Sequence, residues 1–240
     1  MLEAISPENI LFLDIETVPA YPSFADMPEH FRDLWDKKSA HIRKPEQTAE
    51  DVYGRAGIYA EFGKIVCISA GHTVLQGDAR RLFRVKSFFG DDEKALLEEF
   101  AQALIKFYGA KPGAFLCAHN GREFDFPYIA RRMLVNGVKL PPMLSVHGKK
   151  PWEFTFLDTM ELWKFGDYKH FTSLALMAAL FGVPTPKDDI DGSMVAEVYY
   201  RERNLPRIAA YCEKDVLTVA RLLLKLRGDS NEIAEVRSIT

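Results

Sequence analysis

Residues 9–18, Asn9-Ile10-Leu11-Phe12-Leu13-Asp14-Ile15-Glu16-Thr17-Val18, form a near-continuous run of aliphatic, β-branched and aromatic side chains. Such a run predicts a central strand buried on both faces, stopped by Pro19. Residues 64–70 predict a second strand, and residues 82–88, which alternate more openly, predict a half-exposed third. The Gly77-Asp78 turn between them predicts an antiparallel hairpin. Asp91-Asp92-Glu93 then leads into apolar positions 96, 97, 100, 104 and 107, the pattern of an amphipathic helix with an acidic start. A short buried strand over 113–120, a helix over 125–136 and a strand over 154–159 follow. Thr172 and Ser173 are placed to cap a helix over 174–181, which Gly182-Val183-Pro184 closes. Two more helices are predicted over 192–200 and 206–226, the second apolar on one face.

Strands dominate the first part of the chain, alternate with helices, and then give way to them. That order predicts an α/β fold with a central mixed β-sheet flanked by helices. Residues 1–240 are expected to form a single domain, long enough to bury a substantial core. Residues 19–60 interrupt the pattern with prolines at 19, 22, 28 and 45 and a charged middle. They predict a long excursion near the working edge of the sheet, with short helical pieces around 27–38 and 48–60.

Composition narrows the function. With 48% hydrophobic and 27% charged residues the chain is not of disordered type. No stretch approaches the roughly 20 apolar residues that span a bilayer, and the acidic start lacks the basic, apolar pattern of a secretory signal. Cys67, Cys117 and Cys212 sit in apolar stretches without metal-ligand spacing, which suits reduced, buried thiols of a cytoplasmic protein. The net charge of −3 argues against a protein that coats nucleic acid, but not against an enzyme that grips a few phosphates. Bound divalent cations would reverse the sign of an acidic cleft.

Asp14 and Glu16 lie two apart on the first strand, so period-two geometry puts both carboxylates on one face. They either end the strand in water or face each other across a cation that offsets their repulsion and lost hydration. Asp125 follows Asn120-Gly121-Arg122-Glu123-Phe124 directly after a buried strand, either as a helix cap or as a third carboxylate. Tyr211 and Asp215, four apart on the last helix, share one side beside the stripe formed by 208, 209, 212, 216, 219 and 223. Glu213 and Lys214 are expected to be solvated. His119 is expected to make a structural hydrogen bond, and His30, His41 and His72 are scattered and form no ligand pattern.

Asp14-Ile15-Glu16-Thr17, Asn120-Gly121-Arg122-Glu123-Phe124-Asp125 and Tyr211-Cys212-Glu213-Lys214-Asp215 together resemble the three exonuclease motifs of the DEDD superfamily, with tyrosine marking the DEDDy branch. Pro186-Lys187-Asp188-Asp189-Ile190-Asp191-Gly192-Ser193, with Val195 and Tyr199 after it, resembles a signature ahead of the third motif. The whole chain is similar to stand-alone relatives of the proofreading domain of family B DNA polymerases. The resemblance implies a ribonuclease H-like fold and a 3′–5′ exonuclease that uses two divalent cations, Mg²⁺ or Mn²⁺. It implies that Asp14, Glu16 and Asp215 hold one cation, that Asp14 bridges to the second, and that Asp125 acts through the second or its water. Tyr211 would orient the attacking water, and Thr17, Asn120 and Phe124 would contact the terminal nucleotides.

The expected partner is nucleic acid with a free 3′ end, single-stranded DNA in the first instance, and no membrane. Lys149, Lys150 and Lys169 are candidate phosphate contacts, or else a solvated charge patch. An RNA-directed exonuclease of the same fold is an alternative, since a residue sensing the 2′-hydroxyl need not lie in any motif. A catalytically idle binding module is a further alternative, and the intact carboxylate set counts against it.

Overall fold

The computed structural model describes residues 2–77, 80–167, 169, 171–184, 190–229 and 232–239. Its centre is a mixed sheet of six strands: β1 (Ile10–Pro19), β2 (Gly63–Leu75), β3 (Arg81–Phe89), β4 (Phe115–Ala118), β5 (Phe156–Asp158) and β6 (Ile233–Ser238). Their spatial order is β5-β4-β1-β2-β3-β6. β1, β2 and β3 form an antiparallel meander, while β4 and β5 run parallel to β1 on its other side. The expected hairpin is therefore present, although Asp78 of its turn lies outside the described residues. The expected mixed sheet with flanking helices is observed, in keeping with a ribonuclease H-like fold.

β1 earns its central place because both of its faces are apolar. Leu11, Leu13 and Ile15 pack with Ile68 and Phe88 against α2 (Glu93–Ala110) and α3 (Asp125–Val135). Ile10 and Phe12 point the other way, onto Val216, Val219, Ala220 and Leu223 of α7 (Leu205–Leu226). Further along β1, Val18 packs with Cys67 against Ile208, Ala209 and Cys212 of the same helix. Asn204 caps α7 by accepting the Arg207 N–H, and 22 residues at 1.5 Å each let one helix cross the sheet.

Residues 20–62 carry a hydrophobic cluster of their own. Trp35 of α1 (Glu29–Ser39) is wholly buried among Met27, Val52, Tyr53 and Phe62, and its indole N–H donates to the Ala49 carbonyl at 2.9 Å. A 3₁₀ turn over Tyr53–Ile58 presses this cluster onto the end of β1. A Cβ at Gly57 would lie 3.0 Å from the Val18 carbonyl carbon, a tight contact that glycine avoids. Both expected helical pieces of the excursion are present.

Two elements were not expected from the sequence, α4 (Thr159–Lys164) and the edge strand β6. The helix expected over 174–181 is α5 (Leu174–Leu180), capped by Ser173. The helix expected over 192–200 is instead a short turn, α6 (Val195–Glu197), followed by a π-helical turn over Val198–Glu202. Glu213, expected to be solvated, accepts hydrogen bonds from the Ser87 and Ser238 hydroxyls, both at 2.9 Å.

Candidate active site

The parallel side of the sheet stops early, and this opens the site. β4 pairs with β1 only over Ile10–Phe12, whereas β1 continues to Pro19. Beyond β4 the Ile15 N–H has no strand to pair with, and the Asp125 carboxylate accepts it at 3.2 Å. That bond carries the first turn of α3 to the carboxyl end of β1, the side of an α/β sheet where ligands collect. Asp125 is thus not a cap of its own helix. It is 2% exposed and reaches across 110 positions of sequence to the central strand.

Asp14 and Glu16 stand opposite Ser69 and Cys67 of β2 and face α7. The pairing register shifts between Glu16 and Thr17, a bulge that ends the regular ladder beside the carboxylates. Ligand atoms of Asp14, Glu16 and Cys212 all lie within 4.8 Å of one another and could hold a metal ion. The Cys212 thiol donates to the Asp14 carbonyl oxygen at 3.4 Å and to its carboxylate at 3.6 Å. Burial, first among several causes, raises the Cys212 pKa well above the thiol range, so the sulfur stays a neutral donor beneath the carboxylates.

Burial also pushes the Asp14 carboxyl well above the usual range, and the charges of Asp125, Glu16 and Asp215 add to the rise. Glu16 is raised well above its usual range by burial and then by Asp215, Cys67 and Asp125. Asp125 is pushed up to about 7, again chiefly by burial, with Asp158 adding and the Ile15 N–H opposing. Asp14 and Glu16 each feel the charges of Asp125 and Asp215, so four carboxylates share one electrostatic neighbourhood. Among the described residues, no lysine or arginine forms an ion pair with Asp14, Glu16 or Asp125. Like charges brought together without a cationic side chain fit a divalent cation.

Tyr211 and Asp215 lie one turn apart on α7, close enough for the Asp215 carboxylate to act on the Tyr211 hydroxyl. Burial foremost, and then Asp215 and Glu16, lifts its pKa far above the ordinary phenol value, so the hydroxyl remains neutral. Asn120 adopts a left-handed φ of 61° in the loop before α3. Gly121 beside it serves close approach, since a Cβ there would lie 2.4 Å from that of Ala118. The Asn120 side-chain oxygen is buried with no hydrogen-bond partner among the described residues.

Asp158 organises this loop. Its two oxygens accept from the backbone N–H groups of Asn120 at 2.9 Å, Arg122 at 3.0 Å, Met160 at 2.9 Å and Glu161 at 3.3 Å. The same carboxylate therefore caps α4 and fixes the approach to Asp125. Asp158-Thr159 at the end of a predicted strand was the available signal for such a cap. His119 makes the expected structural contacts: Nε2 donates to the Thr172 carbonyl and Nδ1 accepts from the Thr159 hydroxyl, each at 2.8 Å. His170 and residues 186–189 of the expected signature lie outside the described residues.

A cleft of about 530 Å³ opens beside Glu16, lined also by Thr17, Arg55, Ile58, Phe124 and Ser193 among others, while Asp14, Asn120, Asp125, Tyr211 and Asp215 are not in its lining. The structure thus gathers Thr17 and Phe124 against Glu16 and adds Arg55 and Ile58 from the excursion, which were not singled out from the sequence. Lys149, Lys150 and Lys169 are exposed and lie outside this lining.

A family model described as "Predicted 3'-5' exonuclease related to the exonuclease domain of PolB" matches residues 58–237. The chain belongs to this family. The matched span contains Asp125, Tyr211 and Asp215, while Asp14 and Glu16 precede it. Membership of this exonuclease-related family supports a hydrolytic function of nuclease type. Among solved structures, the chain is similar to the family B DNA polymerase from the hyperthermophilic archaeon Pyrobaculum calidifontis, with 17% identity and a TM-score of 0.49. That match covers 91% of this chain and 24% of the polymerase, so the chain spans about a quarter of that protein's length. No curated protein matches the chain. No described helix is long and apolar enough to cross a membrane.

Proposed function

We propose that the chain is a two-metal-ion 3′–5′ exonuclease acting on single-stranded DNA and releasing nucleoside 5′-monophosphates. The observation that carries this reading is the set of mutually repelling carboxylates, Glu16 and Asp125 buried and Asp14 and Asp215 half-buried, with no cationic partner at Asp14, Glu16 or Asp125 among the described residues and with an open cleft at Glu16. Asp14, Glu16 and Asp215 would hold one Mg²⁺ or Mn²⁺, Asp14 would bridge to a second, and Asp125 would act through the second. The donor set is all oxygen, as these hard cations prefer. When bound, such ions acidify a water and neutralise charge on the non-bridging oxygens and the departing 3′-oxygen.

The remaining work falls to the chain. Water attacks the terminal phosphorus, the P–O3′ bond breaks, and the shortened strand leaves with a new 3′-hydroxyl. Tyr211, beside Asp215 on α7 and kept neutral by burial, orients the attacking water rather than removing its proton. Phe124 offers a base a stacking surface that does not read its identity. Thr17 and Asn120 border the place of the terminal nucleotide. Arg55 enters from the excursion as a phosphate contact near the scissile end, and Lys149, Lys150 and Lys169 serve the strand farther out.

One assay tests substrate and direction together. A 5′-labelled single-stranded DNA is expected to shorten stepwise in Mg²⁺ or Mn²⁺, releasing mononucleotides, and to outpace a blunt duplex of the same sequence. EDTA should stop it. Equal cleavage of a closed circle, or a rate untouched by EDTA, contradicts an exonuclease with a metal centre. Faster hydrolysis of the matching RNA reassigns the substrate to RNA.

A further inference from the structure

On the sheet face away from α7, a second concave surface lies between β2, β3 and the C-terminal half of α2. Its volume is about 360 Å³, and its floor is apolar, with Leu11, Ala70, Ala103 and Phe107 among its lining. The pairing of β2 with β3 explains its rim. Ala70 stands opposite Lys86 and His72 opposite Arg84, so this register sends both cations to the face that α2 partly covers. α2 contributes Lys106 and, just past its end, Lys111 on the facing wall.

Among the described residues, no acidic residue lines the groove, and Arg84, Lys86 and Lys106 have no acidic partner. The Lys111 ammonium donates to the Glu8 carbonyl and also lies 5.2 Å from the Phe107 ring centroid. His72 on the floor is pushed down to about 4, by burial and then by Lys111 and Arg84. Cations near the end of α2 complement its dipole. That effect does not account for Arg84 and Lys86, which stand on a strand.

The chemistry of an occupant follows from these two properties. Cations on both walls call for more than one anionic group, which a single headgroup does not supply. The apolar floor calls for an aliphatic or aromatic side chain between those anions. A nucleic-acid strand supplies the anions, but its bases stack on open aromatic faces, whereas Phe88 and Phe100 here are buried in the core and the half-buried Phe107 ring is packed against His72 and Lys111. We propose that this groove docks a short acidic peptide segment of a partner protein, seating an apolar side chain on its floor while flanking carboxylates meet Arg84 and Lys86 on one wall and Lys106 and Lys111 on the other.

The test is fluorescence anisotropy with a labelled hexapeptide, Asp-Asp-Leu-Asp-Phe-Asp, titrated with the full chain. Controls are the same peptide with Leu and Phe replaced by Ser, and labelled oligothymidylate in EDTA. The mixed peptide is expected to bind, and the Ser peptide to bind more weakly. Arg84→Glu combined with Lys106→Glu, one exposed position from each wall, should weaken the mixed peptide by about tenfold or more while hydrolysis and the melting temperature stay at the parental level. Unchanged peptide affinity in that double variant overturns the proposal. Equal binding of the Ser peptide also overturns it, by removing the role of the floor. Displacement of the mixed peptide by oligothymidylate assigns the groove to nucleic acid instead.

Discussion

Replacing Asp14 with Asn is expected to abolish hydrolysis and, at the same time, to stabilise the metal-free protein. The substitution keeps the size of the side chain and its acceptor for the Cys212 thiol, but removes one of four clustered charges. In the proposed role of a bridging ligand, Asp14 should be worth a loss of about a thousandfold or more in turnover, on the scale of a lost electrostatic contact in a preorganised site. Relief of repulsion should raise metal-free stability by about 1–2 kcal/mol, roughly 2–8 °C in melting temperature for a chain of this size. Mn²⁺ should raise the melting temperature of the parent and leave the variant unmoved.

The same repulsion gives the metal-free protein a characteristic pH dependence. Asp14, Glu16 and Asp125 all have folded pKa values above their ordinary ones, with Asp125 at about 7. The folded state therefore binds protons more tightly than the unfolded chain. The contribution of these groups is fully present below about pH 4, the ordinary carboxylate range, and is lost as pH rises through their folded values. Mn²⁺ competes with those protons, so its apparent affinity should climb from acid to neutral pH. A variant less stable than the parent without metal at neutral pH would show that these carboxylates are satisfied structurally.

Tyr211→Phe is the complementary experiment, because it removes only a hydroxyl. The ring stays beside the sheet and the carboxylates are untouched, so Mn²⁺ affinity should hold. Turnover should fall by roughly 10–1000-fold, the usual worth of a positioned catalytic group. A hydroxyl that served only a structural hydrogen bond to Asp215 would cost about 0.5–1.5 kcal/mol of stability when lost and leave turnover alone. Single-turnover hydrolysis, read beside the melting temperature, separates the two. Destabilisation with a parental rate removes Tyr211 from the chemistry. Since burial keeps the phenol neutral, no alkaline limb of the rate profile should disappear with the hydroxyl.

Much of this site was legible in the sequence because its carriers are strongly periodic. β1 is apolar on both faces except at Asp14 and Glu16, and α7 presents one unbroken stripe beside which Tyr211 and Asp215 fall. Three features were not legible, each for a physical reason. The bond from Asp125 to Ile15 joins residues 110 apart and depends on where β4 stops pairing with β1. The loop before α3 is held by Asp158, whose four backbone contacts come from two separate segments. Arg55 reaches the cleft from the excursion, whose 3₁₀ turn packs closely on the end of β1 at Gly57, a contact between segments far apart in sequence.

Short or edge elements escaped for a different reason. α4 has six residues, too few to display a helical period. β6 buries only Ile233 and is otherwise charged or exposed, as suits the edge of a sheet, so no alternation marks it. The turn over Val198–Glu202 winds as a π-helix where Tyr199 accepts from Lys64 and donates to Asp91, and where the Tyr200 hydroxyl donates to the Pro19 carbonyl.

The central claim is that Asp14, Glu16, Asp125 and Asp215 form a cation centre, and anomalous diffraction from crystals grown with Mn²⁺ tests it most directly. Two anomalous peaks are expected among these carboxylates, one touching Asp14, Glu16 and Asp215 and the other reached by Asp14, and neither should survive Asp14→Asn intact. Absence of manganese from the carboxylates of the parent protein at saturating Mn²⁺, or peaks only at surface acids elsewhere, would contradict the account.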